Sequence, residues 1–397
     1  MRKKIFFVYG YKYFEKYNEF FNINLLKKSF DIYIFDLHKI FNQNLKKNIK
    51  NKYKNKNFHV ISKISNFENF VRIKTPNFVV LEGSENFKIE IAKIINNFSE
   101  AKIVEFYNGS VPEDVDYYNS YGVKKILLSY KILFFFRIIS NRILKLIFEK
   151  IKSIFIRRKK RKYLTDILFY AGDDTLKLND LKNKYFFKKI PSPSYDYDIS
   201  LRQKKFKKKI IKKRYAVFLD SMIMHHQDYK YNYKDIGVPV TTKYFKEMND
   251  FFEIIEKKFN LEVVIALHPN CFIKNYSKFF SNRKCIKFNT ARLVKNSVLV
   301  FSHASSTAIN FAIIYKKPII YIITNEMKKN YLIYKRYLIK KKIFKFNFLN
   351  ASNVKTNMLS KKFKIDTIVY KSYYKNYINS CSNKKKSLSK VILENLN

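Results

Sequence analysis

Residues 298–323 read VLVFSHASSTAINFAIIYKKPIIYII, and the order of apolar and small residues in them decides the fold class. A short apolar run, 298–301, reads as a buried strand that ends at Ser302-His303. Residues 305–315 are then almost wholly apolar, which predicts a helix buried on every side. Pro318 closes that helix and opens a second strand over 319–323. A strand, a buried helix and a further strand in this order form the repeating unit of a parallel sheet covered on both faces.

The same rhythm continues upstream. Residues 216–219 predict a strand ending at Asp220, and 263–267 another ending at His268-Pro269. Between them Tyr244, Phe245, Met248, Phe251, Phe252, Ile255 and Phe259 recur at helical spacing and give one apolar face. The first half carries the pattern too, with strands expected at 5–9, 32–35, 78–81, 103–107 and 167–170 and helices near 14–26 and 87–95. Residues 176–214, with Pro191-Ser192-Pro193 and a lysine-rich run from 204, read as an inter-domain connection. We therefore expect two domains, 1–200 and 201–397.

Composition narrows the function classes. The apolar share of 47% suits packed domains and excludes a disordered chain. The 39 Phe and 31 Tyr, beside abundant Lys, Asn and Ile, match the codons of an AT-rich genome, so aromatic counts are not read as base-stacking surface. A formal charge of +50 calls for a polyanionic partner: nucleic acid, an anionic membrane face or phosphorylated substrates. No zinc-finger, helix-turn-helix or RNA-recognition pattern accompanies it, so nucleic acid is not the expected partner. Cys271, Cys285 and Cys381 make no CxxC pair, which suits a reducing compartment, and the apolar run after Met1 lacks a signal peptide's length and cleavage site. We expect a cytoplasmic protein.

Residues 126–162 add a membrane to that expectation. No apolar run there approaches the roughly 18–20 residues needed to span a bilayer. Lys131, Arg137, Arg142, Lys145 and Lys152 punctuate it, largely opposite Ile139, Ile143, Ile147, Ile151 and Ile154, and a basic run follows from Arg157 to Lys162. A basic amphipathic helix of this kind lies in an anionic interface, which places the protein peripherally on the inner membrane.

Ligands of open α/β sheets bind beyond the carboxyl ends of the strands. In the second half those ends are Asp220, His268-Pro269 and Ser302-His303, with Ser305, Ser306 and Thr307 leading onto a helix start whose free N–H groups attract phosphate. In the first half they are Gly10, Asp36-Leu37-His38, Glu82-Gly83, Asn108-Gly109 and Gly172-Asp173. Glu82 and Asp173 are the candidate general bases. His225 and His226 stand in a loop suited to acceptor or nucleotide contacts. No Asp-x-Asp metal site is apparent, Asp196-Tyr197-Asp198 falling in the expected linker, and no metal is expected.

The order Phe218-Leu219-Asp220, His225-His226, Ala266-Leu267-His268-Pro269-Asn270, Ser302 to Thr307 and Lys317-Pro318-Ile319-Ile320 resembles bacterial surface-carbohydrate (capsule and lipopolysaccharide) glycosyltransferases of GT-B fold, in the sialyltransferase-like and Kdo-transferase-like branch. The resemblance implies an α/β fold of two Rossmann-like domains with parallel sheets facing across a cleft. It implies a nucleotide-sugar donor, such as a CMP-activated acidic sugar, with His268 and the Ser305-Ser306 pair on the nucleotide phosphate. It also implies a glycan or lipid-linked glycan acceptor on the first domain, and no cofactor beyond the donor. The acidic Asp/Glu-Asp/Glu-Gly motif of that branch is not intact here, which leaves the base between Glu82 and Asp173. A polyol-phosphate transferase on the same fold, a basic nucleic-acid-binding protein and a non-catalytic scaffold of polysaccharide assembly are the alternatives.

Overall fold

The computed structural model describes residues 2–13, 17–41, 56–109, 164–178, 181, 185–203, 209–225, 240–269, 271, 273–303, 307–343, 347–354, 359, 364–380 and 386–397. The amphipathic segment 126–162, Ser305, Ser306 and His226 lie outside them. The chain forms two compact units, one holding the N-terminal residues, the stretch up to Leu201 and Lys375–Asn397, the other holding Arg202–Tyr374.

In the first unit β1 (Lys4–Tyr9), β2 (Asp31–Asp36), β3 (Phe58–Val60), β4 (Phe78–Glu82), β5 (Lys102–Tyr107), β6 (Leu164–Tyr170) and β7 (Tyr185–Pro191) form one parallel sheet. Its order is β3-β2-β1-β4-β5-β6-β7. Alternate residues of β1 serve opposite faces: Ile5, Phe7 and Tyr9 enter one core cluster, Phe6 and Val8 the other. A strand buried on both faces has no polar side to show, which is why its sequence is a continuous apolar run. The helix Glu85–Phe98 covers one face through Phe87, Ile91 and Ile95, capped by Ser84, whose Oγ accepts from the Phe87 amide.

The second unit repeats this plan with β8 (Tyr215–Leu219), β9 (Glu262–Leu267), β10 (Cys285–Lys287), β11 (Leu299–Ser302), β12 (Ile319–Ile323) and β13 (Asn347–Asn350). All are parallel, in the order β10-β9-β8-β11-β12-β13. The helix expected over 244–259 runs Lys243–Phe259 and buries Tyr244, Phe245, Met248, Phe251, Phe252 and Ile255.

Three expectations are corrected. The stretch expected to be a linker holds β7 and the helix Tyr195–Gln203. The helix expected over 14–26 is two short helices, Tyr17–Phe21 and Ile23–Leu26, parted by Asn22 at φ 48°. The last helix, Leu388–Leu396, packs on the first unit and not on the second. Its Leu388, Val391, Ile392 and Leu396 join Phe21, Ile23 and Leu26 of the two short helices in the cluster around Ile5 and Phe7. Asp198 Oδ1 accepts from the Leu388 amide at 2.8 Å, and Lys3 Nζ donates to the Asn397 carbonyl at 2.6 Å, so both helix ends are tied.

Gly172 makes the return of the chain possible. It has φ +75°, and a Cβ added there would lie 2.2 Å from the Asn376 carbonyl oxygen. Gly172→Ala is expected to destabilise the protein by about 1–3 kcal/mol, the range of an overpacked site. Gly109→Ala, where the nearest atom would be Tyr195 at 3.9 Å, should stay within about 0.5 kcal/mol. Urea melts of the two variants compare them directly, and equal effects would discount the close approach.

Candidate functional site

Each sheet reverses its strand order once, between β1 and β4 in the first unit and between β8 and β11 in the second. At such a point the flanking connections leave in opposite directions and open a crevice at the carboxyl ends. The residues placed there are Tyr9-Gly10 and Glu82-Gly83 in the first unit, and Asp220 and Ser302-His303 in the second.

In the first unit the Gly10 amide donates to the Glu82 carbonyl at 2.8 Å, extending the β1–β4 pairing by one residue. A Cβ on Gly10 or Gly83 would meet the Phe87 ring at 2.7 or 2.4 Å, so the two glycines seat that ring beneath the turn. The Glu82 side chain then stands among tyrosines. Tyr11 donates its hydroxyl to Oε2 at 3.3 Å, while Oε1 is sequestered from solvent and accepts no hydrogen bond among the described residues. Burial pushes the carboxyl up to about 7; Lys88 and the Tyr11 and Tyr195 hydroxyls oppose that rise, and Glu105 adds to it.

The phenols around it remain protonated. Burial and the negative Glu82 raise Tyr9, Tyr11 and Tyr195 well above their ordinary value and push Tyr17 up to about 12. Tyr9 and Tyr17 stack at 5.7 Å, and Tyr11 and Tyr13 set their rings at an angle to Tyr17. The result is a carboxylate that titrates near neutrality inside a wall of neutral hydroxyl groups. Glu82 was expected from its strand end; Tyr11, Tyr17 and Tyr195 were not. For Tyr11 and Tyr17 the signal is the run of closely spaced tyrosines after β1, whereas Tyr195 starts the helix after β7 and is brought to Glu82 only by the fold.

The other strand ends of this unit are differently employed. Asp173 is close to half exposed and pairs with Lys375 Nζ at 3.4 Å, a solvated ion pair. Asn108 is buried, with Nδ2 donating to Ser192 Oγ at 2.7 Å and to the Pro193 carbonyl at 2.6 Å, so it ties β5 to the turn before Tyr195. Gly109 follows it with open space around it. Asp36 accepts from the Tyr13 amide, the His38 amide and, at 2.6 Å, His38 Nδ1.

In the second unit Asp220 lies between the ends of β9 and β11 and is 4% exposed. Its Oδ1 accepts from the Met222 amide at 2.9 Å, an Asx turn that holds Met222 at φ 52°. Its Oδ2, and the buried Oγ of Ser221, make no hydrogen bond among the described residues. Burial pushes the Asp220 carboxyl up to about 6, against the Met222 amide and the nearby Tyr276 hydroxyl. A non-glycine residue in the left-handed region costs on the order of 1–3 kcal/mol and collects at functional sites.

His303 is corrected. Its ring is buried, Nδ1 faces the Ile322 carbonyl at 3.0 Å and Nε2 faces the Tyr244 hydroxyl at 2.8 Å. A carbonyl only accepts, so Nδ1 carries the proton and Nε2 accepts from Tyr244. Burial lowers its pKa to about 4, which keeps the ring neutral. With both nitrogens engaged, the ring locks β11 to β12 and the helix Lys243–Phe259 and cannot also bind a nucleotide. Ser302 is likewise turned inward, its Oγ donating to the His303 carbonyl at 2.8 Å.

His268 ends β9 half-buried, and its carbonyl accepts from the Cys271 amide at 2.9 Å, closing a turn that contains Pro269. With β8 between β9 and β11, His268 and Ser302 stand two strand spacings apart, roughly 10 Å. The helix expected over 305–315 is described from Ile309 to Ile314, with Thr307 exposed just before it. His225 packs its ring against Tyr276 and Phe279 at 6.0 and 5.7 Å, an aromatic cluster with Phe245. Among the described residues no group of three or more His, Cys, Asp and Glu is placed to hold a metal, and no helix is long and apolar enough to cross a membrane.

No family model matches the chain, and no curated protein matches its sequence. Solved structures resemble it remotely. An S. aureus MnaA–UDP co-structure is 12% identical, with 99% of this chain and 95% of that one covered at a TM-score of 0.49. Arabidopsis thaliana UGT89C1 complexed with UDP is 8% identical over 100% and 99%, also at 0.49. Acinetobacter baumannii MurG is 8% identical over 94% of each chain at 0.42. Likenesses at this level assign neither a family nor an activity.

Proposed function

We propose that this chain is a glycosyltransferase that moves a sugar from a nucleotide-sugar to a hydroxyl group of a surface polysaccharide or glycolipid. Glu82 is the observation that carries the reading: a carboxyl held near pH 7 at a switch point, with one oxygen unpaired and phenol hydroxyls around it. Proton abstraction from an alcohol is served best by a base whose pKa lies near the working pH. Glu82 Oε1 takes the acceptor's proton as the acceptor oxygen bonds to the anomeric carbon. The bond from that carbon to the donor's phosphate oxygen breaks, and its electron pair leaves with the phosphate. Flat tyrosine rings suit a sugar face, and their hydroxyls suit its oxygens.

The second unit supplies the nucleotide side. His268, just beyond β9, and the Ser305-Ser306 pair that follows β11 in sequence are proposed to stabilise the charge growing on the departing phosphate. The donor is a nucleotide-sugar of the CMP class, as the HP and serine-rich motifs suggest, and no metal enters the scheme. The basic amphipathic pattern of 126–162 supports a lipid-linked acceptor met at an anionic membrane surface.

Assayed with a panel of nucleotide-sugars, the wild type should show kcat/KM rising with pH up to about 7 and level beyond it. Glu82→Gln should lower kcat by about 10²–10⁴-fold with little change in KM and abolish that inflection. An unchanged profile in the variant rules out Glu82 as the base, and turnover of CDP-alcohols in place of CMP-sugars turns the reading to polyol-phosphate transfer. His268→Ala, or Ser305 and Ser306 replaced together by Ala, should lower kcat/KM; normal transfer by both removes the phosphate assignment.

Folding stability gives a second check on Glu82. Between its ordinary value of 4.5 and about 7 the unfolded chain has released the proton that the folded chain keeps. Wild-type stability should therefore fall relative to Glu82→Gln as pH rises through that window, and the difference should be constant above it. Urea melts from pH 4 to 8 read this, and a difference independent of pH would show that the carboxyl is not shifted.

A further inference from the structure

The end of β8 holds an arrangement that phosphate binding does not explain. Asp220 Oδ2 and Ser221 Oγ are adjacent in sequence, both buried, and neither makes a hydrogen bond among the described residues. A buried polar atom left unpaired costs on the order of 1–3 kcal/mol, so two together ask for a ligand. Tyr244 is not available to serve them, because His303 Nε2 takes its proton. Tyr276 favours the Asp220 anion from nearby without bonding Oδ2. The backbone is arranged to hold the pair in place: Asp220 Oδ1 fixes the Met222 amide, and Met222 accepts a left-handed conformation at φ 52°.

The chemistry of the two atoms selects the ligand. A carboxylate oxygen only accepts, so its partner must carry a donor, and a phosphate group offers oxygens of the same sign. A serine hydroxyl both donates and accepts. Neighbouring hydroxyl groups on a ring meet both demands, one donating to Asp220 and the other exchanging a hydrogen bond with Ser221. A metal ion would need further ligands, and no cluster of three or more His, Cys, Asp and Glu is present among the described residues.

We infer that Asp220 and Ser221 form a diol-binding subsite that grips vicinal hydroxyls of the donor, while the phosphate lies elsewhere. This rests on the proposed binding of a nucleotide-sugar by the second unit, and it names what Asp220, expected only as a strand-end donor-binding residue, would hold. The hydroxyls belong to the ribose or to the transferred sugar, and binding experiments separate the two.

Calorimetry on the full chain would compare CMP with 2′,3′-dideoxy-CMP, and UDP-glucose with UDP, for wild type and Asp220→Asn. The amide keeps an Oδ1 for the Met222 amide but replaces the accepting Oδ2 with a donor, so the turn survives. Wild type should favour CMP over its dideoxy analogue by about tenfold, the worth of a hydrogen bond to a charged group, and Asp220→Asn should erase that preference. If the sugar is the ligand, the preference for UDP-glucose over UDP is the one erased. Ser221→Ala, which removes only the hydroxyl, should weaken the same preference and stands in if Asp220→Asn melts early. The inference fails if Asp220→Asn weakens all four ligands alike or none of them, or if the preference appears only with added magnesium. Should wild type bind no nucleotide at all, the glycosyltransferase reading fails with it; nucleotide binding and transfer without hydroxyl discrimination overturn the diol subsite alone.

Discussion

The governing constraint is the burial of parallel strands on both faces. β1 and β8 bury every residue from Ile5 to Tyr9 and from Tyr215 to Leu219, so the polar groups of these strands appear only where the chain leaves the sheet. Both sheets place the reversal of strand order at that same first strand. Chemistry is thereby confined to a few residues at the carboxyl ends, and their desolvation follows from the packing that forms the sheet. Glu82 and Asp220 have raised pKa values because of where the apolar strands stop.

The two carboxyl groups are tuned by different neighbours. Glu82 has phenol hydroxyls and the Lys88 cation near it, and it can shed or take a proton close to neutrality. Asp220 has one oxygen bound to its own backbone turn and the other unpaired. The first arrangement suits a group that exchanges a proton with an alcohol. The second suits one that holds an alcohol still. Lys88 is itself held by Glu105, at 2.5 Å, with Thr165 on the other oxygen of that carboxylate. The Lys88 cation of this buried pair opposes the rise of the Glu82 carboxyl, and its Glu105 partner works the other way.

Elsewhere the protein turns polar side chains inward as fasteners. His303 joins three elements through its two nitrogens, Asn108 joins β5 to the turn at Pro193, and Asp198 caps the last helix. Buried polar groups are stable when each finds a partner. Strand-end position alone does not tell such fasteners from functional candidates, and one unpaired oxygen does not either, since Asn108 Oδ1 is also buried without a hydrogen bond among the described residues.

Much of the architecture was readable in order along the chain. Apolar runs such as 263–267 and 319–323 mark strands because a both-face burial leaves no polar alternation, and the tyrosine and phenylalanine spacing of 244–259 marks its helix. The residues at the strand ends followed from the fold class, and Glu82 and Asp220 were among them. β3, β10 and β13 are not legible in the sequence because short edge strands carry little apolar signal, and β7 is not because its lysines and Pro191 imitate a linker. Only the tertiary structure could place Leu388–Leu396 on the first sheet, since its partners lie at the opposite end of the chain. Only it could separate His303, with both nitrogens occupied, from Glu82, with an oxygen unpaired. Which polar atom has a partner depends on contacts between distant segments, and local sequence carries no record of them.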